Sequence, residues 1–262
     1  MKRVASLFKN LRKDDRCGLI AYVTCGDGDT VAIVEELVRA GADAIELGIP
    51  FSDPIADGPT IQAAAQRALA RGTTTKHVFA IARQLRDNNV QVPLIAFSYL
   101  NPILRYGPER FARDARESGI DSLLLTDLPP EAATQFRADL HAHDLGTIFL
   151  LAPTSSPIRI KAIDRASDGF VYYVSTTGVT GTRSDLDPAL LTRLDQIRGQ
   201  LRKPLAVGFG ISKHEHYLAL KDRCDAIVVG SAIVRAIADG ESDSAPQRAG
   251  QVVRTILDRA EE

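Results

Sequence analysis

The 262-residue sequence predicts an α/β protein that folds as a single (β/α)8 barrel of the TIM type. Short apolar, β-prone runs recur eight times along the chain, and amphipathic segments lie between them. Regular alternation of strand and helix indicates a parallel sheet, and eight units in about 250 residues are typical of a closed barrel. No Ser/Gly-rich linker or change in composition divides the chain. We therefore expect residues 1–262 to form one domain.

The predicted strands are short runs rich in β-branched and other apolar residues. They are Leu19–Thr24, Ala44–Leu47, Pro93–Phe97, Ser122–Leu125, Thr147–Leu151, Phe170–Val174, Leu205–Gly208 and Ala226–Val229. Several predicted helices begin with Pro or follow Ser, Thr or Asp, as helix N-termini do. They are Thr30–Ala40, Thr60–Ala70, Thr75–Asp87, Pro108–Glu117, Pro130–His141, Pro157–Ala166, Pro188–Leu201, Ser212–Asp222, a helix starting at Ser231, and Pro246–Arg259.

An extra helix is predicted before the first strand. Val4, Leu7, Phe8 and Leu11 follow the i, i+3, i+4, i+7 spacing of an amphipathic helix. We expect the apolar face of this helix to cover the bottom of the barrel, where the strands begin.

A doubly wound open sheet is the alternative architecture for the same alternation. It would carry a Gly-rich dinucleotide-binding turn, GxGxxG, after the first strand. The residues found there, Cys25-Gly26-Asp27-Gly28-Asp29, do not match this turn. The barrel is therefore favoured.

The connections after strands 2 and 6 are longer than the others. In such barrels the loops after the strands carry the active site, and loops beyond ~12–15 residues are often lids or binding loops. We therefore expect the functional site where these two long loops, residues 49–59 and 175–185, meet the barrel.

Composition and charge exclude several classes of function. A formal net charge of −1 provides no basic surface for nucleic acid, and no run reaches the ~18 apolar residues of a membrane span. Residues 1–15 lack the apolar stretch and cleavage site of a signal peptide, which indicates a cytoplasmic protein. Cys17, Cys25 and Cys224 lack metal-type spacing and predict reduced, structural thiols, although Cys25 near a strand end leaves a reactive thiol open.

Glu46 is the first candidate for chemistry. Because side chains alternate along a strand, Ile45 and Leu47 facing the helices would place Glu46 inside the barrel, between the small residues Ala44 and Gly48. Apolar walls raise the pKa of a buried carboxyl group, which suits a group that gives and takes a proton near neutral pH. A salt bridge to another strand is the alternative, but no predicted strand contains Lys or Arg. An acid–base role is therefore favoured.

Two further carboxylates, Asp53 and Asp57, lie in the Pro- and Gly-containing loop that follows Glu46. Asp57 directly precedes a predicted helix. Asp frequently caps helices and turns, so the residues alone favour that role over catalysis for both.

Glycines follow the last three predicted strands, in Gly178–Gly181, Gly208-Phe209-Gly210 and Gly230-Ser231. Backbone N–H groups in such loops, together with the N-terminus of a helix starting at Ser231, can bind an oxyanion. This is the usual phosphate position of TIM barrels. The glycines therefore predict a phosphorylated substrate without specifying the reaction.

Two other kinds of barrel chemistry are disfavoured. A Schiff-base aldolase needs a lysine inside the barrel, and no lysine falls in a predicted strand. A metal-dependent enzyme needs His or carboxylate ligands at several strand ends. The histidines fall instead in helices or loops, where we expect surface positions: His77, His141, His143, His214 and His216. Proton transfer without a metal or cofactor is the remaining chemistry.

The segment Glu46–Pro59, with sequence ELGIPFSDPIADGP, resembles the tryptophan synthase alpha chain family, as do Gly178-Val179-Thr180-Gly181 and Gly208-Phe209-Gly210-Ile211. The likeness extends from about Tyr22 to Ala236. It implies a lyase that cleaves indole-3-glycerol phosphate to indole and glyceraldehyde 3-phosphate in L-tryptophan biosynthesis. It also implies an alpha2beta2 tetramer in which the beta subunit holds pyridoxal phosphate and receives the indole, with no cofactor in this chain.

The resemblance further assigns roles to individual residues. Glu46 would protonate the indole ring carbon and help deprotonate the glycerol hydroxyl. Asp57 would accept a hydrogen bond from the indole N–H, a catalytic role instead of a cap, and Thr180 would touch it when the sixth loop closes. The other implied substrate contacts are Tyr22, Phe97, Leu124 and Tyr172 around the indole, and Gly181, Phe209, Gly210, Gly230 and Ser231 around the phosphate. The residues implied to face the beta subunit are Asp53, Asn101 and Pro129.

Three alternatives stay open at this level. A free-standing lyase would release indole to another pathway and form no complex with a beta subunit. A non-catalytic chain that binds indolic phosphates and regulates its partner would show no turnover, and the intact pair Glu46 and Asp57 argues against it. A sugar-phosphate epimerase would explain the glycines but not the Pro-stiffened acidic loop.

Overall fold

A computed structural model of the protein describes residues 2–174, 188–208 and 210–259. The strands within these ranges are β1 (Gly18–Thr24), β2 (Ala44–Gly48), β3 (Leu94–Ser98), β4 (Ser122–Leu125), β5 (Gly146–Ile148), β6 (Leu150–Leu151), β7 (Val171–Val174), β8 (Leu205–Gly208) and β9 (Ala226–Val229). The helices there are α1 (Lys2–Lys13), α2 (Thr30–Ala40), α3 (Pro59–Ala70), α4 (Thr75–Asp87), α5 (Leu100–Tyr106), α6 (Pro108–Glu117), α7 (Thr134–Ala142), α8 (Pro157–Ala166), α9 (Pro188–Arg198), α10 (His214–Leu220), α11 (Ser231–Ala238) and α12 (Ala245–Leu257).

The strands form one parallel sheet that closes on itself. Its order is β5-β4-β3-β2-β1-β9-β8-β7-β6. β5 pairs with β4 and β6 pairs with β7, while β5 and β6 are consecutive in the chain on either side of Phe149. The two edges are therefore halves of one barrel strand, and the predicted TIM barrel is confirmed.

Phe149 interrupts the run Thr147–Leu151 that the sequence predicts as one continuous strand. The N–H of Phe149 donates to Ser167 Oγ at 3.2 Å, and its carbonyl oxygen accepts from the N–H of Tyr172 at 3.2 Å. Its N–H is thus bound by a side chain instead of a ladder partner. The prediction of an unbroken fifth strand is wrong for this reason.

Side chains alternate between the two faces of the barrel wall, as predicted. On β2, Ile45 and Leu47 lie in the core between the sheet and the outer helices. Ala44 lies in the core inside the barrel, together with Ile20 and Ile95 of the neighbouring strands. This alternation gives Glu46 an inward direction.

The N-terminal helix α1 closes the bottom of the barrel, as predicted. Val4, Phe8 and Leu11 belong to the core inside the barrel, and the ring centroids of Phe8 and Phe170 are 5.3 Å apart. The strands end at the opposite end of the barrel, where the segments that follow them lie.

Two helical segments differ from the prediction by more than the position of their ends. The segment Pro130–His141 was predicted as one helix, but Pro130–Ala132 forms a 3-10 turn and α7 begins only at Thr134, because Ala132 and Ala133 bond three residues back, to Pro129 and Pro130. Helix α5 was not predicted. The N–H of Leu100 at its start donates to Asp127 Oδ1 at 2.7 Å, a contact that no local pattern contains.

No helix within the described ranges has the length and apolar character needed to cross a membrane.

Candidate active site

Glu46 lies in the middle of β2, opposite Tyr22 of β1 and Ile95 of β3. Its exposed fraction is 0%, and neither carboxylate oxygen has a hydrogen-bond partner in the described part of the chain. An unpaired charge is very costly in such surroundings, and burial raises the pKa of Glu46 from 4.5 to about 8. Glu46 is therefore protonated at neutral pH and can act as an acid.

The raised pKa of Glu46 predicts a pH-dependent stability. Between the unfolded pKa of 4.5 and the folded pKa of about 8 the native state holds one proton more than the unfolded state. The penalty of burying this carboxyl group is absent below the unfolded pKa and grows as pH rises toward the folded pKa. By neutral pH it amounts to roughly 3 kcal/mol.

Urea unfolding of the wild type and Glu46→Gln over a range of pH measures this penalty, because Gln cannot titrate. The free energy of unfolding of the variant, relative to the wild type, is expected to rise by roughly 3 kcal/mol from mildly acidic to neutral pH. Asp57 titrates in both proteins and cancels in the difference. Parallel curves for the two proteins would show that the pKa of Glu46 is not raised.

Asp57 lies in the loop of residues 49–58 between β2 and α3. The N-cap of α3 is Gly58, which has no side chain to bond. Burial raises the pKa of Asp57 to about 6, and the nearby Tyr99 hydroxyl opposes this rise. The two carboxyl groups therefore have separated pKa values: at neutral pH Glu46 is an acid and Asp57 is a charged acceptor.

Aromatic side chains surround the two carboxyl groups. The rings of Tyr22 and Phe97 meet edge to face at 5.2 Å and 78°, and Phe97 is the register neighbour of the fully buried Leu124. The two carboxyl charges add to burial in raising the pKa of Tyr22 and Tyr172. The structure thus brings the residues that the resemblance assigned to the indole close to one another and to the carboxyl groups.

Two glycines provide the space for the tyrosine hydroxyls. A Cβ atom at Gly48 would lie 2.3 Å from Tyr22 Oη, and one at Gly208 would lie 2.6 Å from Tyr172 Oη. Real Cβ atoms do not approach so closely, so any side chain at either position would displace a tyrosine.

Gly210, Gly230 and Ser231 come from neighbouring strand ends. Gly210 follows β8 and Gly230 follows β9, and these two strands pair in parallel. Ser231 is the first residue of α11 and Gly230 is its N-cap, so N–H groups without partners inside the helix start here. Gly210 has φ of +48°, which favours glycine. The remaining predicted contacts, Thr180, Gly181 and Phe209, lie outside the described residues, as do the other residues of 175–187.

Asp53, Asn101 and Pro129 are exposed. They follow β2, β3 and β4 in turn, so they lie at the end of the barrel where the strands end. Exposure on consecutive strand ends is compatible with a partner surface.

The residues that could bind a metal or react as thiols do not form a site of either kind in the described ranges. No group of three or more His, Cys, Asp or Glu side chains in the described ranges is arranged to hold a metal ion. His216 was predicted at the surface, which is wrong: it is 6% exposed, with Nδ1 accepting from the N–H of Ser212 at 3.4 Å. Cys25 is fully buried, and burial raises the pKa of its thiol, which makes it a structural residue and not a nucleophile.

Tyr99 is a residue of this site that no sequence pattern indicated. This residue directly follows β3 and is 3% exposed, yet its hydroxyl is bound to the loop that carries Asp57. Its position at the end of a barrel strand was the available signal, because such positions point to the active site.

A parallel barrel that holds a protonated carboxyl group inside it and a charged carboxylate in the loop after the same strand belongs to the class of acid–base barrel enzymes. Comparison with known proteins identifies which one. The model of the tryptophan synthase alpha chain family matches residues 8–260, and the chain belongs to this family.

Individual relatives agree with this assignment. The tryptophan synthase alpha chain of Solibacter usitatus (strain Ellin6076) is 50% identical over 248 residues, which cover 94% of this chain and 92% of the relative. The crystal structure of tryptophan synthase subunit alpha from Legionella pneumophila str. Paris has a TM-score of 0.91 at 35% identity and covers 98% of this chain and 97% of that one. A chain in the tryptophan synthase complex from Pyrococcus furiosus has a TM-score of 0.85 at 37% identity, covering 92% of this chain and 98% of that one.

Family membership confirms the activity that the motifs implied. The chain is a lyase (EC 4.2.1.20) that cleaves indole-3-glycerol phosphate in tryptophan biosynthesis. The alpha chain has no cofactor of its own, and the pyridoxal phosphate of the synthase resides in the beta subunit.

Proposed function

We propose that Glu46 and Asp57 carry out this cleavage, with Glu46 moving both protons and Asp57 holding the indole nitrogen. The observation that carries the proposal is the buried Glu46 carboxyl group, whose two oxygens have no partner in the described part of the chain. A fully buried polar group is normally hydrogen-bonded. A buried carboxyl group that these residues leave without a partner is available to bond a substrate.

The first step is proton transfer to carbon. The indole ring lies among Tyr22, Phe97, Leu124 and Tyr172, and its N–H donates to the Asp57 carboxylate. Protonated Glu46 gives its proton to C3 of the ring, which forms a C–H bond and leaves a positively charged C=N–H unit. The negative charge of Asp57 stabilises the positive charge that develops at the nitrogen.

The second step breaks the carbon–carbon bond. Glu46, now a carboxylate, takes the proton of the glycerol hydroxyl next to C3. The oxygen forms a C=O bond, the bond to C3 breaks, and its electron pair returns to the ring and neutralises the C=N–H unit. Indole and glyceraldehyde 3-phosphate are the products, and Glu46 is protonated again for the next cycle.

The phosphate end of the substrate is proposed to bind at Gly210, Gly230 and Ser231. N–H groups at the start of α11 point to this edge of the barrel and carry the positive end of the helix dipole. Gly181 and Phe209 complete this phosphate site in the proposal, and Thr180 contacts Asp57 when the sixth loop closes.

The chain is proposed to act as one barrel domain, residues 1–262, within a cytoplasmic alpha2beta2 tetramer that passes indole to the beta subunit. Support comes from the exposure of Asp53, Asn101 and Pro129 on consecutive strand ends and from the Pyrococcus furiosus relative, which was solved in a tryptophan synthase complex. Asp53 lies four residues from Asp57 in the same loop. Contact of the beta subunit with Asp53 would therefore affect the position of Asp57.

The test supplies indole-3-glycerol phosphate to the purified chain with and without the beta subunit and measures triose phosphate and indole. We expect slow cleavage by the chain alone and faster cleavage in a complex that gel filtration detects. A free-standing lyase would show neither a complex nor a faster rate. Absence of cleavage under both conditions would exclude the catalytic proposal in favour of a regulatory chain.

A further inference from the structure

Tyr99 connects the loop that carries Asp57 to the end of β3. Its hydroxyl oxygen accepts a hydrogen bond from the N–H of Ala56 at 2.9 Å. Its ring lies against that of Phe51, with centroids 5.3 Å apart and planes tilted by 35°. Phe51 and Ala56 lie near the two ends of the loop, so one side chain anchors both ends.

The loop between these anchors is folded on itself. The N–H of Ile55 donates to the carbonyl of Asp53 at 2.9 Å, and the N–H of Asp57 donates to the carbonyl of Pro54 at 3.0 Å. The loop therefore behaves as one compact unit. Whatever fixes Ala56 also fixes the neighbouring Asp57.

The single proton of the Tyr99 hydroxyl is available for the Asp57 carboxylate. The hydroxyl oxygen already accepts from Ala56, and a carboxylate can only accept, so Tyr99 must be the donor in any interaction with Asp57. The hydroxyl lies close enough to lower the pKa of the Asp57 carboxyl group, as a donor directed at a carboxylate does.

We propose that Tyr99 is a positioning residue for the cleavage reaction, which holds the Asp57 carboxylate in place as the acceptor for the indole N–H. This inference rests on the proposed role of Asp57. Tyr99 acts through the loop that it anchors and through the carboxylate which that loop carries.

The Tyr99 hydroxyl also affects the charge of Asp57. Burial raises the pKa of Asp57 to about 6, and the Tyr99 hydroxyl lowers it. The other titratable groups facing Asp57 from the barrel strands are Tyr22, Tyr172 and Glu46, whose pKa values are all raised, so at neutral pH none of the three carries a charge. Loss of the Tyr99 hydroxyl would therefore move the pKa of Asp57 upward.

Tyr99→Phe removes the hydroxyl and keeps the ring against Phe51. Tyr106→Phe is the matched control. Tyr106 is the last residue of α5, the helix that begins directly after Tyr99, and its hydroxyl also donates to a carboxylate, Asp114 Oδ2 at 2.6 Å. The assay is kcat and KM for indole-3-glycerol phosphate as a function of pH, with each chain in the complex with the beta subunit.

For Tyr99→Phe we expect kcat at its pH maximum to fall about tenfold. The acid limb of the profile should move up by about one pH unit, because protonated Asp57 cannot accept the indole N–H. Tyr106→Phe should change neither quantity. A merely structural role for the Tyr99 hydroxyl would lower the yield or the stability of the enzyme and leave the acid limb in place, which would overturn the inference.

Asp57→Asn, measured in parallel, separates the two proposals. If Asp57→Asn loses activity and Tyr99→Phe keeps the wild-type profile, only the positioning role is wrong. If Asp57→Asn keeps full activity, the proposed role of Asp57 is wrong, and so is the positioning role of Tyr99 that depends on it. Should Tyr99→Phe fail to fold, a fluorinated tyrosine at position 99, a stronger donor of nearly the same shape, should move the acid limb to lower pH, and an unmoved limb would contradict the inference.

Discussion

Glu46→Gln is expected to lower kcat for indole-3-glycerol phosphate cleavage by about 10³- to 10⁴-fold. Gln has nearly the same shape as Glu but can neither give a proton to C3 nor take one from the glycerol hydroxyl. Because both proton transfers fail, the fall in kcat should lie at the upper end of the range expected for removal of a single acid–base group. KM should change little, because the substrate contacts at the indole and phosphate ends are retained.

Glu36→Gln is the matched control for this variant. Glu36 is also buried, at 6% exposure, but it lies on α2 and pairs with Arg39 and Arg254. Its substitution should lower stability and leave kcat within about twofold. A Glu46→Gln enzyme that kept a tenth or more of the wild-type kcat would rule out Glu46 as the group that moves the protons.

Asp57→Asn is expected to lower kcat by about 10²- to 10³-fold. The Asn carbonyl oxygen can still accept the indole N–H, so binding of the ground state should be largely retained. The negative charge that stabilises the positively charged C=N–H unit is lost, and that charge matters only as the reaction proceeds. The expected pattern is therefore a large fall in kcat with a small change in KM.

Asp29→Asn serves as the control for Asp57→Asn. Asp29 is the N-cap of α2, where its Oδ1 accepts from the N–H of Ala32 at 3.1 Å, and Asn caps helices about as well as Asp. This variant should retain both kcat and stability. If Asp57→Asn raised KM and left kcat intact, Asp57 would contribute to substrate binding and not to the charge of the transition state.

The sequence predicted those features of the site that depend on local patterns. The alternation of Ala44, Ile45, Glu46 and Leu47 was sufficient to place Glu46 inside the barrel and to predict its raised pKa. Helices with clear ends, such as Thr30–Ala40 and Pro157–Ala166, were predicted with the bounds that the structure has.

Features that depend on distant contacts could not be predicted in this way. The residues alone favoured a capping role for Asp57, because its partner Tyr99 is 42 positions away and no local pattern joins them. The break at Phe149 depends on the side chain of Ser167. His216 has a polar sequence environment, but tertiary packing buries it.

Titration of the two carboxyl groups in the enzyme without substrate is the strongest test of whether Glu46 is the acid and Asp57 the charged acceptor. Infrared or carbon-13 NMR spectra of carboxyl-labelled protein, assigned by subtracting Glu46→Gln and Asp57→Asn, report the protonation state of each group. We expect Glu46 to be protonated at neutral pH with a pKa of about 8, and Asp57 to be ionised with a pKa of about 6. A Glu46 that is already ionised at neutral pH, with a pKa near its ordinary value of 4.5, would contradict its role as the acid that starts the cleavage.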